Sequence, residues 1–111
     1  MTAIMSLRPF ALCLTGVVLA TSALADELFD QGKAVFTREA QPSCSLCHTL
    51  ADAGATGAIG PNLDQLRPNE ERVRLAVTGG VGIMPPFADS LSEAQIRAVA
   101  HYVATATGAG D

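Results

Sequence analysis

The chain has 111 residues and a formal net charge of −4, with seven basic and eleven acidic side chains and three cysteines. That length suggests one domain at most. The acidic balance argues against nucleic acid or an anionic membrane surface as partner.

Chain order begins with an export pattern. Arg8 precedes an apolar run from Phe10 through Ala20, and Ala23-Leu24-Ala25 follows. A positive end, a short apolar segment and an Ala-x-Ala site describe a secretory signal peptide, residues 1–25, cleaved after Ala25. The alternative is a retained membrane anchor, but the run is short against the roughly 20 apolar residues of a span. Leu12 is bulky where a small residue precedes a lipidated cysteine, which argues against lipid attachment at Cys13. The expected mature domain, residues 26–111, would lie in the periplasm without a permanent membrane span. It carries six basic and eleven acidic residues, so a partner with a basic docking face is the compatible choice.

The first predicted helix runs from Glu27 to about Arg38, with Leu28, Gly32, Val35 and Phe36 on one face. Gln41-Pro42-Ser43 ends it. Residues 51–60 are rich in Ala and Gly without a clean period and read as a loop. A second helix follows Pro68, capped by Asn69, with Glu70 and Glu71 in its first turn. Val73, Ala76 and Val77 form its apolar stripe, and Gly79-Gly80 stops it. The last helix opens on a Ser92/Gln95 capping box, buries Ile96, Val99, Ala100 and Val103, and is closed by Gly108. No segment alternates as a strand would. The reading is all-α: three main helices, with room for a short fourth near the cysteines.

A domain this small is marginal on its own core and needs a disulfide, a metal or a cofactor. Cys44 and Cys47 are the only cysteines after residue 25 and are too close in sequence to staple distant elements. They belong to Cys44-Ser45-Leu46-Cys47-His48, a recognised attachment signature for c-type haem. Each thiol can form a thioether with one vinyl group, and the histidine is placed to ligate iron from one face. Three alternatives stand beside it. A redox dithiol normally comes with a βαβ pattern, which is absent. A zinc site needs two more ligands, and His101 is the only other histidine. The third is a chance match.

Met84 is the only methionine of the mature segment and lies in Gly79-Gly80-Val81-Gly82-Ile83-Met84-Pro85-Pro86-Phe87. Glycines let backbone approach a flat ligand, and Pro85 holds Met84 extended. Met84 is therefore a candidate sixth ligand; the plainer alternative is core packing. His101 is the rival ligand, with a structural or surface role as the other reading. In Gly60-Pro61-Asn62-Leu63 the carbonyl of Pro61 is a fixed acceptor for the second ring nitrogen of His48. Val81, Ile83 and Phe87 are read as an exposed apolar patch.

With these motifs the chain resembles the class I cytochromes c, over essentially the whole of residues 26–111. The resemblance rests on Gly32 and Phe36, Cys44 to His48, Gly60-Pro61-Asn62-Leu63, Met84-Pro85 and Tyr102 on the final helix. It implies a class I fold around one covalently bound haem c, with His48 and Met84 as iron ligands. It also implies close crossing of the first and last helices at Gly32. The Met84-Pro85-Pro86-Phe87 loop and Leu91-Ser92-Glu93-Ala94-Gln95-Ile96 look most like small bacterial members. Some of those serve periplasmic dehydrogenases, including sulfite dehydrogenases. The chain departs from part of the family in having no tryptophan to bond a haem propionate. Arg67, Arg72 and Asn62 are the substitutes to weigh.

The function expected is single-electron transfer between redox proteins, a dehydrogenase as donor and an oxidase or another cytochrome as acceptor, and not an enzymatic reaction. Two alternatives remain: a haem subunit of a stable dehydrogenase complex, and a monohaem sensor or peroxidase with a labile Met84.

Overall fold

A computed structural model of the protein describes residues 2, 3, 5, 6, 9 and 15–109, and of residues 15–19 the backbone alone. Residues 10–14 of the expected apolar signal run lie outside the described residues. The elements are α1 (Thr15–Ala34), a π-helical turn (Val35–Glu39), α2 (Cys44–Cys47), β1 (Thr49–Leu50), a 3₁₀ turn (Ala51–Ala53), β2 (Ala55–Thr56), α3 (Leu63–Leu66), α4 (Glu70–Gly79) and α5 (Glu93–Ala106).

The expected first helix is longer than its periodic face. It starts by Thr15 and not at Glu27, because the segment before Glu27 is Ala- and Leu-rich and contains no proline to stop it. Residues 20–27 are exposed, and core contact begins near Leu28. The loop expected over 51–60 is in part a small antiparallel hairpin, with Thr49 opposite Thr56 and Leu50 opposite Ala55. Gly54 turns it at φ +62°. Two-residue strands are too short to alternate, so the sequence carried no period to read. The short α3 was also missed: Asn62, weighed as a haem contact, caps this helix through Oδ1, which accepts from Gln65 N at 3.3 Å.

α4 and α5 form where their caps place them. Asn69 Oδ1 accepts from Arg72 N at 2.9 Å. In the Ser92 box, Gln95 N donates to Ser92 Oγ at 3.1 Å and Ser92 N donates to Gln95 Oε1 at 2.8 Å. Each bond satisfies an N–H that the first helical turn leaves without a partner.

α1 crosses α5 at Gly32, where a Cβ would stand 2.0 Å from Ala98 O and 2.5 Å from Tyr102 Cβ. Glycine is required there by space alone. Tyr102 is fully buried beside the crossing, with the rings of Phe29 and Phe36 edge-on at 4.9 and 5.8 Å. Phe29 falls three residues before Gly32 and seven before Phe36, on the same helical face, and its ring covers Tyr102. The Tyr102 hydroxyl donates to Asp52 Oδ2 at 2.6 Å, and Lys33 Nζ lies 3.4 Å from the same oxygen. One carboxylate thus ties the 3₁₀ turn to both crossing helices. Burial and the bond to Asp52 hold the Tyr102 hydroxyl well above the ordinary phenol range. The core continues through Val35, Leu50, Leu63, Val73, Val77, Phe87, Leu91, Ile96, Val99 and Val103. No helix among the described residues is long and apolar enough to cross a membrane.

Candidate haem site

Cys44, Cys47 and His48 come from one short helix and the residue that ends it. Ser43 caps α2, its Oγ accepting from Ser45 N at 3.3 Å and donating to Phe36 O at 3.0 Å. The cysteine helix is thereby anchored to the π-helical turn behind it. His48 N donates to Cys44 O at 3.0 Å, after which the backbone turns extended. Gly60 N donates to Cys47 O at 2.7 Å, which brings the Gly60-Pro61 segment under the histidine. His48 Nδ1 lies 2.7 Å from Pro61 O. The geometry makes Nδ1 the protonated donor, because a carbonyl only accepts, and it leaves Nε2 with its lone pair.

The face of the His48 ring rests on Gly60. A Cβ there would meet His48 Cε1 at 2.7 Å and Nδ1 at 3.0 Å. Gly57 is equally tight, with the Cys47 carbonyl carbon 2.7 Å from a Cβ. Neither role was legible in the sequence, where both glycines sit in an aperiodic stretch.

Met84 arrives from the other side of the sequence on a closed turn. Met84 N donates to Val81 O at 2.9 Å, and Val81 N donates to Met84 O at 3.2 Å. Gly80, at φ +74°, starts this turn where a Cβ would strike Met84 O at 2.7 Å. Phe87 N donates to Val77 O at 2.8 Å, pinning the far end of the loop to α4. Phe87 is therefore buried, 4% exposed, and does not belong to the exposed patch expected from sequence. Val81 and Ile83 do stand out, 64% and 85% exposed.

Cys44, Cys47, His48, Pro61 and Met84 all line one cavity of about 620 Å³. Its other walls are mainly apolar side chains of α3, α4 and α5, such as Leu63, Val73 and Val103. This volume falls in the range of cofactor sites, about 300 to 1,000 Å³. The donor set also fits haem: two thiols, an oriented imidazole and a thioether border one apolar space. The Cys44 thiol does not suit the reactive member of a redox dithiol. Burial pushes the Cys44 thiol up to about 11, whereas a reactive cysteine needs its value lowered. No cluster of three metal-binding side chains exists among the described residues, so the zinc alternative has no ligand set. His101 does not line the cavity; its Nδ1 lies 3.7 Å from Glu70 Oε2, joining α5 to the start of α4.

Crossed terminal helices, and a Cys-x-x-Cys-His run opening on a haem-sized cavity, define a c-type cytochrome of class I fold, a protein with covalently bound haem c. The chain belongs to the c-type cytochrome family described as "Cytochrome C oxidase, cbb3-type, subunit III", whose model matches residues 27–103. Among solved structures it is similar to the c-type cytochrome SorU from Sinorhizobium meliloti, at 47% identity and a TM-score of 0.70. The match covers 75% of this chain and 94% of that one. No curated protein sequence matches the chain.

Proposed function

We propose that this protein is a periplasmic monohaem electron carrier, processed after Ala25, and not an enzyme. The observation that carries the reading is the shared cavity: His48, fixed by Pro61, and Met84, fixed by its closed turn, border the same space as the two cysteines. When bound, haem c supplies a one-electron Fe(III)/Fe(II) couple. Cys44 and Cys47 would hold the group as thioethers, and His48 Nε2 would be one of its two iron donors. Pro61 keeps the His48 ring in one tautomer and one orientation. Met84 would be the other iron donor, a soft thioether that would favour the reduced iron and raise the potential. With both donors in place, no position would remain for a substrate, and transfer would proceed through the exposed edge.

The surface around that edge supports a docking role. Residues 53–63 and 75–88 contain no charged side chain. They present Ile59, Val81 and Ile83, each more than 60% exposed. Short-range contact there is apolar, while the net negative charge of residues 26–111 steers a partner with a basic face from a distance. A periplasmic dehydrogenase, such as a sulfite dehydrogenase, is the proposed donor, and an oxidase or second cytochrome the acceptor. A second reading, a haem subunit held permanently in a complex, is favoured by the family description, which names an oxidase subunit. Purification from periplasm separates the two, since a carrier elutes alone and a subunit with its partner.

The test of the site is spectroscopic. Covalent attachment should leave haem peroxidase stain on the denatured band, and the oxidised protein should show the weak sulfur-to-iron band in the far red. Met84→Ala should abolish that band and open the iron to carbon monoxide. Ready binding of carbon monoxide by the wild-type ferrous protein at neutral pH would refute Met84 as a firm ligand.

A further inference from the structure

The cavity is lined by five polar side chains, and four of them already have partners or a role. Ser43 is occupied with Phe36 O and Ser45 N. Cys44 and Cys47 are the attachment thiols of the proposed function, and His48 is bonded to Pro61. The fifth is Arg72, in the first turn of α4, whose guanidinium has no hydrogen bond or ion pair among the described residues.

The other basic residues are placed differently. Arg67, also weighed from sequence, donates to Thr107 O and Gly108 O and ties the end of α3 to the end of α5. Arg74 forks onto Glu71 at 2.6 and 2.9 Å. Lys33 is paired with Asp52. Arg38 and Arg97 do not line the cavity. The acidic neighbours of Arg72 on α4 are engaged elsewhere, Glu71 with Arg74 and Glu70 beside His101. No carboxylate lines the cavity. Its wall therefore carries one unmatched cation and no anion.

Resting on the haem reading above, we infer that Arg72 receives one of the two propionate carboxylates of the cofactor. Haem brings an apolar body that matches the walls and two anions that need water or a cation. Its vinyl groups and its propionates occupy opposite edges of the macrocycle. α2 takes the vinyl edge, and the cation comes from a separate element, α4. A guanidinium presents a planar fork of donors that fits a carboxylate in two parallel bonds. Arg72 is solvent-exposed, so this pair is partly screened and acts mainly on the ionisation of the propionate and on cofactor position.

The test uses the intact holoprotein. Arg72→Gln and Arg72→Lys are compared with wild type and with Arg97→Ala, which removes an equal charge away from the cavity. Haem stain on the denatured band establishes attachment, and the pH dependence of the haem methyl proton resonances reads propionate ionisation. Arg72→Gln should raise the propionate pKa by about one unit or more. Arg72→Lys should move it less, and Arg97→Ala should leave it in place. A stained Arg72→Gln protein with the wild-type titration overturns this assignment alone, as does an equal shift in Arg97→Ala. A wild-type band without stain overturns the haem reading and this assignment with it.

Discussion

Replacing Gly32 by alanine should force apart the crossing of α1 and α5. The new methyl would stand 2.0 Å from Ala98 O, 2.7 Å from Ala98 C and 2.5 Å from Tyr102 Cβ. Ordinary contact begins near 3.4 Å, so the helices must separate by more than 1 Å, and two of the three obstacles are backbone that no rotamer change can clear. Overpacking of this kind costs about 3 kcal/mol at the upper end of its usual range. Alanine in mid-helix returns about 1 kcal/mol over glycine. The net loss is about 2 kcal/mol, which for a domain of this size lowers the melting temperature by about 8 to 16 °C. The assay is thermal unfolding of the oxidised holoprotein followed by far-ultraviolet circular dichroism. Gly79→Ala is the control, since nothing lies within 4 Å of a Cβ there. A Gly32→Ala protein that melts with the wild type, or above it, would refute the close-approach argument.

Gly60→Ala should disturb His48, the proposed iron ligand, because its methyl would meet the His48 ring at 2.7 Å; the expected outcome is a lower holoprotein yield and an altered low-spin spectrum, both measured by absorption. Tyr102 is the only tyrosine, so phenolate absorbance reports it alone. Its folded pKa is raised by burial and by the bond to Asp52, so its contribution to stability is full below about pH 10, the ordinary phenol value, and is lost as pH rises through the folded value. Asp52→Asn should move that titration down, and an unchanged curve would contradict the assigned cause. Met84→His should keep six ligands but lower the potential in a redox titration, since imidazole is the stronger donor to ferric iron. His101→Ala should leave the absorption spectrum unchanged, as its nitrogen faces Glu70 and not the cavity.

What the sequence determined by itself was local chemistry. The run Cys44 to His48 is contiguous, so its meaning survives without any fold. The caps at Asn69 and Ser92 act within one helical turn, and the stripes Val73–Val77 and Ile96–Val103 repeat at helical spacing, so all were legible in place. Contacts between distant segments were not. Asp52 sits in an aperiodic stretch, and only the crossing of α1 and α5 brings it to Tyr102 and Lys33. Phe29 shares the helical face of Gly32 and Phe36, three and seven positions on, but the ring it packs against lies 73 positions later. Phe87 looked exposed because its loop is polar-free and glycine-rich, and it is buried because its N–H reaches back to Val77. Among Asn62, Arg67 and Arg72 the sequence offered no means of choice, since all three are polar residues near one turn. The tertiary structure separated them by partner: Asn62 bonds its own helix, Arg67 bonds the end of α5, and only Arg72 is left facing the cavity without a partner. A side chain's chemistry is written in its identity, but whether that chemistry is already used up depends on neighbours that folding alone supplies.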